Sequence, residues 1–323
     1  MRDKMSSKKK KKSLKERQRE RQIKQQRTLE AYRIRREREA LRKPRKWSKG
    51  KIFGIICLAI LIFGAYGVWQ FTRPSTVSEG STPYVPTSKT FYIRADGSVD
   101  PFTISIRRVG EAYYIFTGNV SGSIMVERDN IVIDGAGFTL RGMFNGTVGV
   151  GLTGRRNVTI KNLKVIGFDY GIGLLSSFHI NISHNYLANN YGGILMRNSS
   201  NNFIFANNIT SNLECGVWLN SSHNNTLFGN TIMLNAYYGM YIEVSIGNLI
   251  YHNNFVNNTA QVYNLSSKNI WDDKYSSSGN YWSDYKARYP DASERNGSGV
   301  WDKPYLIDEN NQDNYPLIYP YCS

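Results

Sequence analysis

The sequence predicts an all-β protein, a single-stranded parallel β-helix of about 22–23 residues per coil with a cap at each end. Three observations predict it. First, one unit is written five times between residues 157 and 267, aligned on Ile160, Ile182, Ile204, Leu227 and Ile250. A second apolar column follows at Val165, Leu187, Ile209, Ile232 and Phe255. Second, a polar column stands between them, Leu163 and then Asn185, Asn207, Asn230 and Asn253. A later column reads Gly171, Gly193, Gly216 and Gly239, with Val262 in the last unit. Third, such a unit is too short for two packed helices, its apolar spacing is mostly two, and Val, Ile, Phe, Tyr, Thr and Asn dominate it.

Each unit therefore reads as three short strands and tight turns, with successive coils stacking at about 4.8 Å. The apolar columns point inward. The Asn column sits at a bend as a ladder of side-chain amides, each bonding the coils above and below. Without those partners a buried amide costs about 1–3 kcal/mol. The Gly column marks a positive φ or a close approach of backbones. Asn212, in a later turn column, is expected to matter less than Asn207.

The chain divides in order as follows. Residues 1–51 hold 23 Lys and Arg against 6 Asp and Glu, and the remainder holds 18 against 19. The formal charge of +16 thus belongs to this tail, and the rest is nearly neutral. Residues 52–71 (IFGIICLAILIFGAYGVWQF) carry no charge and suit a transmembrane helix. Trp47, Lys51, Trp69 and Phe71 flank it as interfacial anchors. The basic tail then reads as a cytoplasmic topology signal rather than a nucleic-acid site, with the membrane as a partner and the C-terminal body outside. Residues 72–88 form a Ser/Thr/Pro linker. Residues 89–127 suit strands and hairpins of an N-terminal cap, 128–267 the β-helix, and 268–323 a C-terminal cap or appended module.

Asn130–Leu140 (NIVIDGAGFTL), the Asn/Gly repeats, Gly279–Tyr285 (GNYWSDY), Tyr305–Asp308 and Gln312–Pro316 resemble the NosD-type family. The resemblance covers roughly residues 89–320, and the ending resembles archaeal surface members of the family. It implies a right-handed parallel β-helix of the pectin-lyase-like superfamily, export, and copper-binding or carbohydrate-binding and sugar-hydrolysis roles.

The residues themselves favour binding over catalysis. Asp169 and Glu214 fall in similar loops two coils apart, and Glu243 has no acid in its column. No carboxylate pair is in evident position for glycoside hydrolysis, so a polysaccharide hydrolase or lyase is the alternative reading. A copper site is a further alternative, but His184 and His252 share a column three coils apart and no His/Met/Cys cluster has ligand spacing. A calcium loop is suggested weakly by Asp308, Asn310 and Asp313. No cofactor is expected. Outward columns at Phe205, Phe228 and Tyr251, and at Leu195, Trp218, Tyr241 and Asn264, offer rings to carbohydrate or an envelope protein. Alternatively the C-terminal segment covers one stripe. Among eleven Asn-x-Ser/Thr triplets in the exported part, Asn198 and Asn220 fall in turns with room for a glycan, and Asn181 falls in a strand. Cys215 and Cys322 are expected to stay unpaired.

Overall fold

The computed structural model describes residues 89–322, Asn145 and Ser276 excepted. The basic tail, the apolar segment 52–71 and the linker lie outside the described residues. Among those described, no helix is long and apolar enough to cross a membrane.

The described chain is an all-β parallel solenoid whose strands stack into sheets of nine, nine and eight members. One sheet is wide. Its strands Val148–Thr153, Tyr170–Leu175, Gly192–Arg197, Cys215–Asn220, Tyr238–Glu243 and Ala260–Leu265 are six residues long. The other two sheets are narrower. The first contains Val158–Lys161, Asn181–Ser183, Phe203–Phe205 and Thr226–Phe228. The second contains Lys164–Ile166, Tyr186–Ala188, Asn208–Thr210 and Thr231–Met233. The chain visits first narrow, second narrow and wide sheet in turn, and parallel pairing puts each residue over its repeat partner, as with Ile160 on Ile182.

The local chemistry explains the shape. Both predicted apolar columns are fully buried and run the length of the core. Corners turn on residues in left-handed conformation, such as His184, Ala206, Gly229 and His252 in one column. The Gly column has a different cause. Gly193 has no positive φ, but an added Cβ would lie 2.5 Å from the Gly216 carbonyl oxygen and 2.5 Å from the Ile209 side chain. Close approach is what excludes a side chain there.

The Asn ladder forms as expected. Asn207 donates its backbone N–H and its Nδ2 to Asn230 Oδ1, both at 3.0 Å, and Nδ2 also reaches the Ile182 carbonyl at 2.8 Å. Its own Oδ1 accepts the equivalent pair from Asn185. Two more amide ladders stand at the other corners, Asn190–Asn212–Asn235–Asn258 and Asn202–Asn225–Asn248–Asn269. A serine column, Ser177–Ser199–Ser222–Ser245–Ser267, links backbone N–H to side-chain oxygen in the same manner. The lesser role expected for Asn212 is therefore corrected. It is buried and bonds Asn190, Asn235 and the Leu187 carbonyl much as Asn207 bonds its neighbours.

Parallel stacking begins earlier than the repeat itself, with Thr90–Ile93 on Ser123–Val126. Two antiparallel hairpins close this end, Thr90–Ile93 with Val99–Asp100 and Ile106–Val109 with Tyr113–Phe116. At the other end, rings continue the core. Phe255 stacks on Trp282 at 4.4 Å and Trp282 on Tyr305 at 4.1 Å. A short helix, Tyr285–Arg288, and a hairpin, Tyr305–Asp308 with Asn311–Asp313, complete the cap. The two described cysteines are free, Cys215 buried and Cys322 exposed.

Because both positions hold equivalent bonds, Asn207→Leu and Asn212→Leu should destabilise alike, each by roughly 1–3 kcal/mol or more. Denaturant unfolding of the two variants checks this. A loss confined to Asn207→Leu would show that the second ladder is dispensable.

Candidate functional site

The wide sheet carries a cluster of rings on its outer face. Tyr170, Trp218, Tyr238, Tyr241 and Tyr263 project from four of its strands, and Tyr191 stands at the adjoining corner. The column reads Leu195, Trp218, Tyr241, Tyr263. The expected place of Asn264 is thus corrected by one residue. Asn264 pairs over Ile242 and donates to Asp308 Oδ2 at 2.7 Å, so it offers the stripe no polar contact. The cause is a shortened corner. Two residues separate Asn235 from Tyr238, and one separates Asn258 from Ala260, although Tyr238 and Ala260 are strand partners. Gln261 therefore takes the place expected for Val262, its carbonyl meeting Gly239.

The rings pack against one another. Trp218 meets Tyr241 edge to face at 5.4 Å and Tyr170 at 6.2 Å, while Tyr241 stacks on Tyr263 at 5.1 Å. Trp218 is partly buried, and its Nε1 is enclosed with no hydrogen-bond partner. Tyr191 and Tyr263 are the more exposed members, at 37% and 41%. Burial raises the Tyr170 and Tyr241 phenols above their ordinary range. Acids border the cluster. Asp169 and Glu214 lie at the corner before the wide sheet, two coils apart, with Tyr191 between them in the backbone hydrogen-bond ladder. Half-burial pushes the Asp169 carboxyl up, partly offset by a bond from the Gly146 N–H. Along the far edge the column reads Arg197, Asn220, Glu243, with Asn220 donating to Glu243 Oε2 at 2.8 Å.

The second predicted stripe is of another kind. Phe205, Phe228 and Tyr251 stack in sequence at 5.6 Å with interplanar angles of 16° and 19°. Their faces cover each other, which leaves little ring face for a ligand. The C-terminal segment touches only the end of this stripe, where Tyr321 stacks on His252 at 4.3 Å.

The three weak cation candidates are drawn apart by the ladders. Asp313 is fully buried and terminates the first Asn ladder. It accepts from the Asn280 N–H at 2.7 Å, Trp282 Nε1 at 2.8 Å and the Tyr315 N–H at 3.0 Å. Asp308 accepts from the Asn310 N–H and from Asn311 and Asn264 amides. Asn310 stands exposed in the turn. Of the two glycan candidates, Asn198 is exposed at a turn, whereas the Asn220 amide is held by Glu243.

A solenoid with polar ladders inside and a ringed outer face defines the class. The family model described as periplasmic copper-binding protein (NosD) matches residues 95–287, more than half of the chain, and the chain belongs to that family. Among solved structures it is similar to the enzymatically active domain of tailspike protein 2 from bacteriophage CBA120. That likeness has 14% identity and a TM-score of 0.37, over 48% of this chain and 33% of that one. The chain thus spans about a third of that domain. It is also similar to the periplasmic alginate epimerase AlgG, with 14% identity and a TM-score of 0.30, over 59% of this chain and 70% of that one. Comparison with curated proteins gives no match.

The family name calls for a copper test. Among the described residues, no three His, Cys, Asp or Glu side chains gather as a metal set. All four histidines lie in this region and each is engaged elsewhere. His179 packs on Phe178 and His184 on Phe205. His223 Nδ1 accepts the Ile246 N–H, and His252 contacts Ser277 and Ser278. The donor set here does not fit a copper centre.

The buried Asp313 has a pH consequence. Burial raises its pKa from 3.8 to about 7, against the bonds that favour the charged form. A raised carboxyl pKa in the fold means stability is present at low pH and falls as pH rises from about 4 towards 7. Asp313→Asn should be less stable than the parent at pH 5, since its amide cannot accept the Tyr315 N–H. The gap should narrow towards pH 8. Unfolding curves across this window check it, and a gap that stays constant from pH 5 to pH 8 would mean that the carboxylate is charged throughout.

Proposed function

We propose that this protein is a membrane-anchored, extracytoplasmic β-helix that binds cell-envelope carbohydrate on its wide sheet. The observation that carries the reading is the ring cluster around Trp218, Tyr241 and Tyr263, with Tyr191 at its edge. Aromatic side chains spaced along one face offer stacking surface, Tyr191 and Tyr263 most of all. Residues 165–267 contain one Arg, three acids and no Lys. A neutral glycan suits that balance better than a uronate. Asp169, Glu214 and Glu243 at the rim would accept bonds from sugar hydroxyls. The family's periplasmic character supports placement outside the cytoplasm. The uncharged segment 52–71 and the basic tail support the anchor.

Tyr191→Ala and Tyr263→Ala are the cleaner probes, because these two rings are the more exposed while Trp218 is partly buried among its neighbours. Each should weaken glycan binding by about 1–3 kcal/mol, the scale of ring stacking on bases. Melting temperature should hardly change, as for other surface positions. Titration against a panel of neutral and acidic glycans reads the effect, and unchanged affinity in both variants would remove the wide sheet as the site. Chain-length analysis of the same glycans after incubation tests the hydrolase alternative, to which the raised Asp169 carboxyl gives some support.

Topology is tested separately. A reporter active only in the cytoplasm, fused after Ser323, should be silent, whereas the same reporter at the N-terminus should be active. A signal from the C-terminal fusion would overturn the anchor orientation.

A further inference from the structure

The N-terminal end of the solenoid has a feature that glycan binding does not use. Residues 101–105 join Val99–Asp100, the outermost strand of the wide sheet, to Ile106–Val109, the outermost strand of the first narrow sheet. The loop therefore crosses the end of the stack. It is fastened there. The Thr117 N–H donates to the Ser105 carbonyl at 3.0 Å, Thr117 Oγ1 to the Ile104 carbonyl at 2.5 Å, and the Ser105 N–H to Thr103 Oγ1 at 3.2 Å. Yet Phe102 and Ile104 are each 81% exposed, the most exposed large apolar side chains among the described residues.

Basic groups stand at the same end. Arg107 is exposed. The Arg108 and Arg128 guanidiniums both come within 2.6 Å of the point where a Cβ on Gly97 would sit, with Asp96 close to both and Arg108 paired to Glu111 at 2.6 Å. Arg128 Nη1 is enclosed there without a hydrogen-bond partner. Apolar tips with guanidiniums behind them match the layering of a lipid interface, hydrocarbon below and phosphate above.

We infer that this end docks onto a lipid surface, with Phe102 and Ile104 entering the interface and Arg107, Arg108 and Arg128 meeting headgroup phosphates. The chain outside the described body favours that occupant. Lys89 leads into Thr90–Ile93 at this end of the wide sheet, and residues 72–88 separate it from the uncharged segment 52–71. Seventeen residues of random coil have an end-to-end distance of about 20–25 Å, and a tether of that length would keep the loop close to the bilayer. At such an effective concentration a weak contact suffices. Docking would stand the rod up from the membrane and hold the wide sheet's rings away from it.

The inference rests on the anchor in the proposed function, so its test uses the body without the anchor. The core runs from Phe91 to Tyr305, and residues 89–323 therefore carry all of it. This fragment should sediment with vesicles of phosphatidylcholine containing phosphatidylglycerol. Phe102→Ser combined with Ile104→Ser should reduce the bound fraction about tenfold. Melting temperature should stay the same, and Phe102→Trp should retain binding. Arg108→Gln combined with Arg128→Gln should lower binding to the phosphatidylglycerol vesicles. Failure to sediment, or equal sedimentation of the Phe102/Ile104 double variant, would overturn the proposal. So would an end-to-end dimer of the fragment that forms without vesicles and is lost in that variant, since a second copy would then be the occupant. The reporter fusions decide the anchor independently, so the two ideas fail separately.

Discussion

The buried corner amide is the interaction on which this structure depends. A carboxamide placed inside a solenoid must satisfy one oxygen and two N–H groups without water. Here the next coil supplies the oxygen that receives both the backbone N–H and Nδ2 of the coil before. The previous coil supplies a carbonyl for the remaining Nδ2 proton. That arrangement works only if corners stack in strict register. Length can then vary only between the ladders. The second amide ladder keeps its register while the segment after it holds one residue at Tyr191, two at Leu213 and Glu214, two at Ala236 and Tyr237, and one at Thr259. The variable corner lies beside the ring cluster, and it is where Glu214 and Tyr237 enter the chain.

The ladders have a direction, which explains what ends them. Between amides the bonds run one way, each Oδ1 accepting from the N-terminal coil and each backbone N–H and one Nδ2 proton donating to the C-terminal one. At the N-terminal end a backbone N–H suffices, and Leu163, Phe168 and Ile180 provide it. At the C-terminal end an acceptor is required. Asp313, Gln261 and Asn311 provide one for the three amide ladders. A carboxylate is an acceptor-only group when ionised, so Asp313 suits the electrostatics of its place while burial opposes its charge. The same requirement removes Asp308 and Asp313 from a shared cation site. They belong to different ladder ends.

Much of this was legible in the sequence because a repeat exposes its own constraints. The two apolar columns, the first Asn column and the four glycines of the close-packed column are chemical choices repeated at one spacing, and each kept its assigned place; only the last unit's member, Val262, gave way to Gln261. The ladder through Asn190 and Asn212 is equally periodic. It escaped notice because turn residues are ordinarily polar, and periodicity alone does not distinguish a buried amide from a solvated one. Tyr263 was missed for a geometric reason: one corner lost a residue, and a constant step carried the alignment past it to Asn264. The ladder ends were not legible at all. Asn280 reaches Asp313 across 33 residues and Asn269 reaches Asn311 across 42, outside any period.

Burial explains why the two aromatic stripes differ although they look alike as columns. On the first narrow sheet, three-residue strands bring Phe205 and Phe228 over one another at 16°, with Phe203 packed against both. The mutual contact that stabilises this stripe also uses up the surface a sugar would need. On the wide sheet the strand bends at the Gly column, so the first residue and the fourth lie on the same outer face. Tyr170 can then lean over Gly192 towards Trp218, and Tyr238 towards Tyr241. Tyr170 and Tyr241 meet Trp218 at 51° and 75°, whereas Tyr241 and Tyr263 stack at 16°, so the irregular part of the face lies around the indole. The rings leave an uneven face with an enclosed, unpartnered indole N–H, bordered by acids from the variable corner. Gly171, Gly193, Gly216 and Gly239, where a Cβ would meet the next coil, let two successive residues face inward, and the first and fourth places are thereby left to the rings outside.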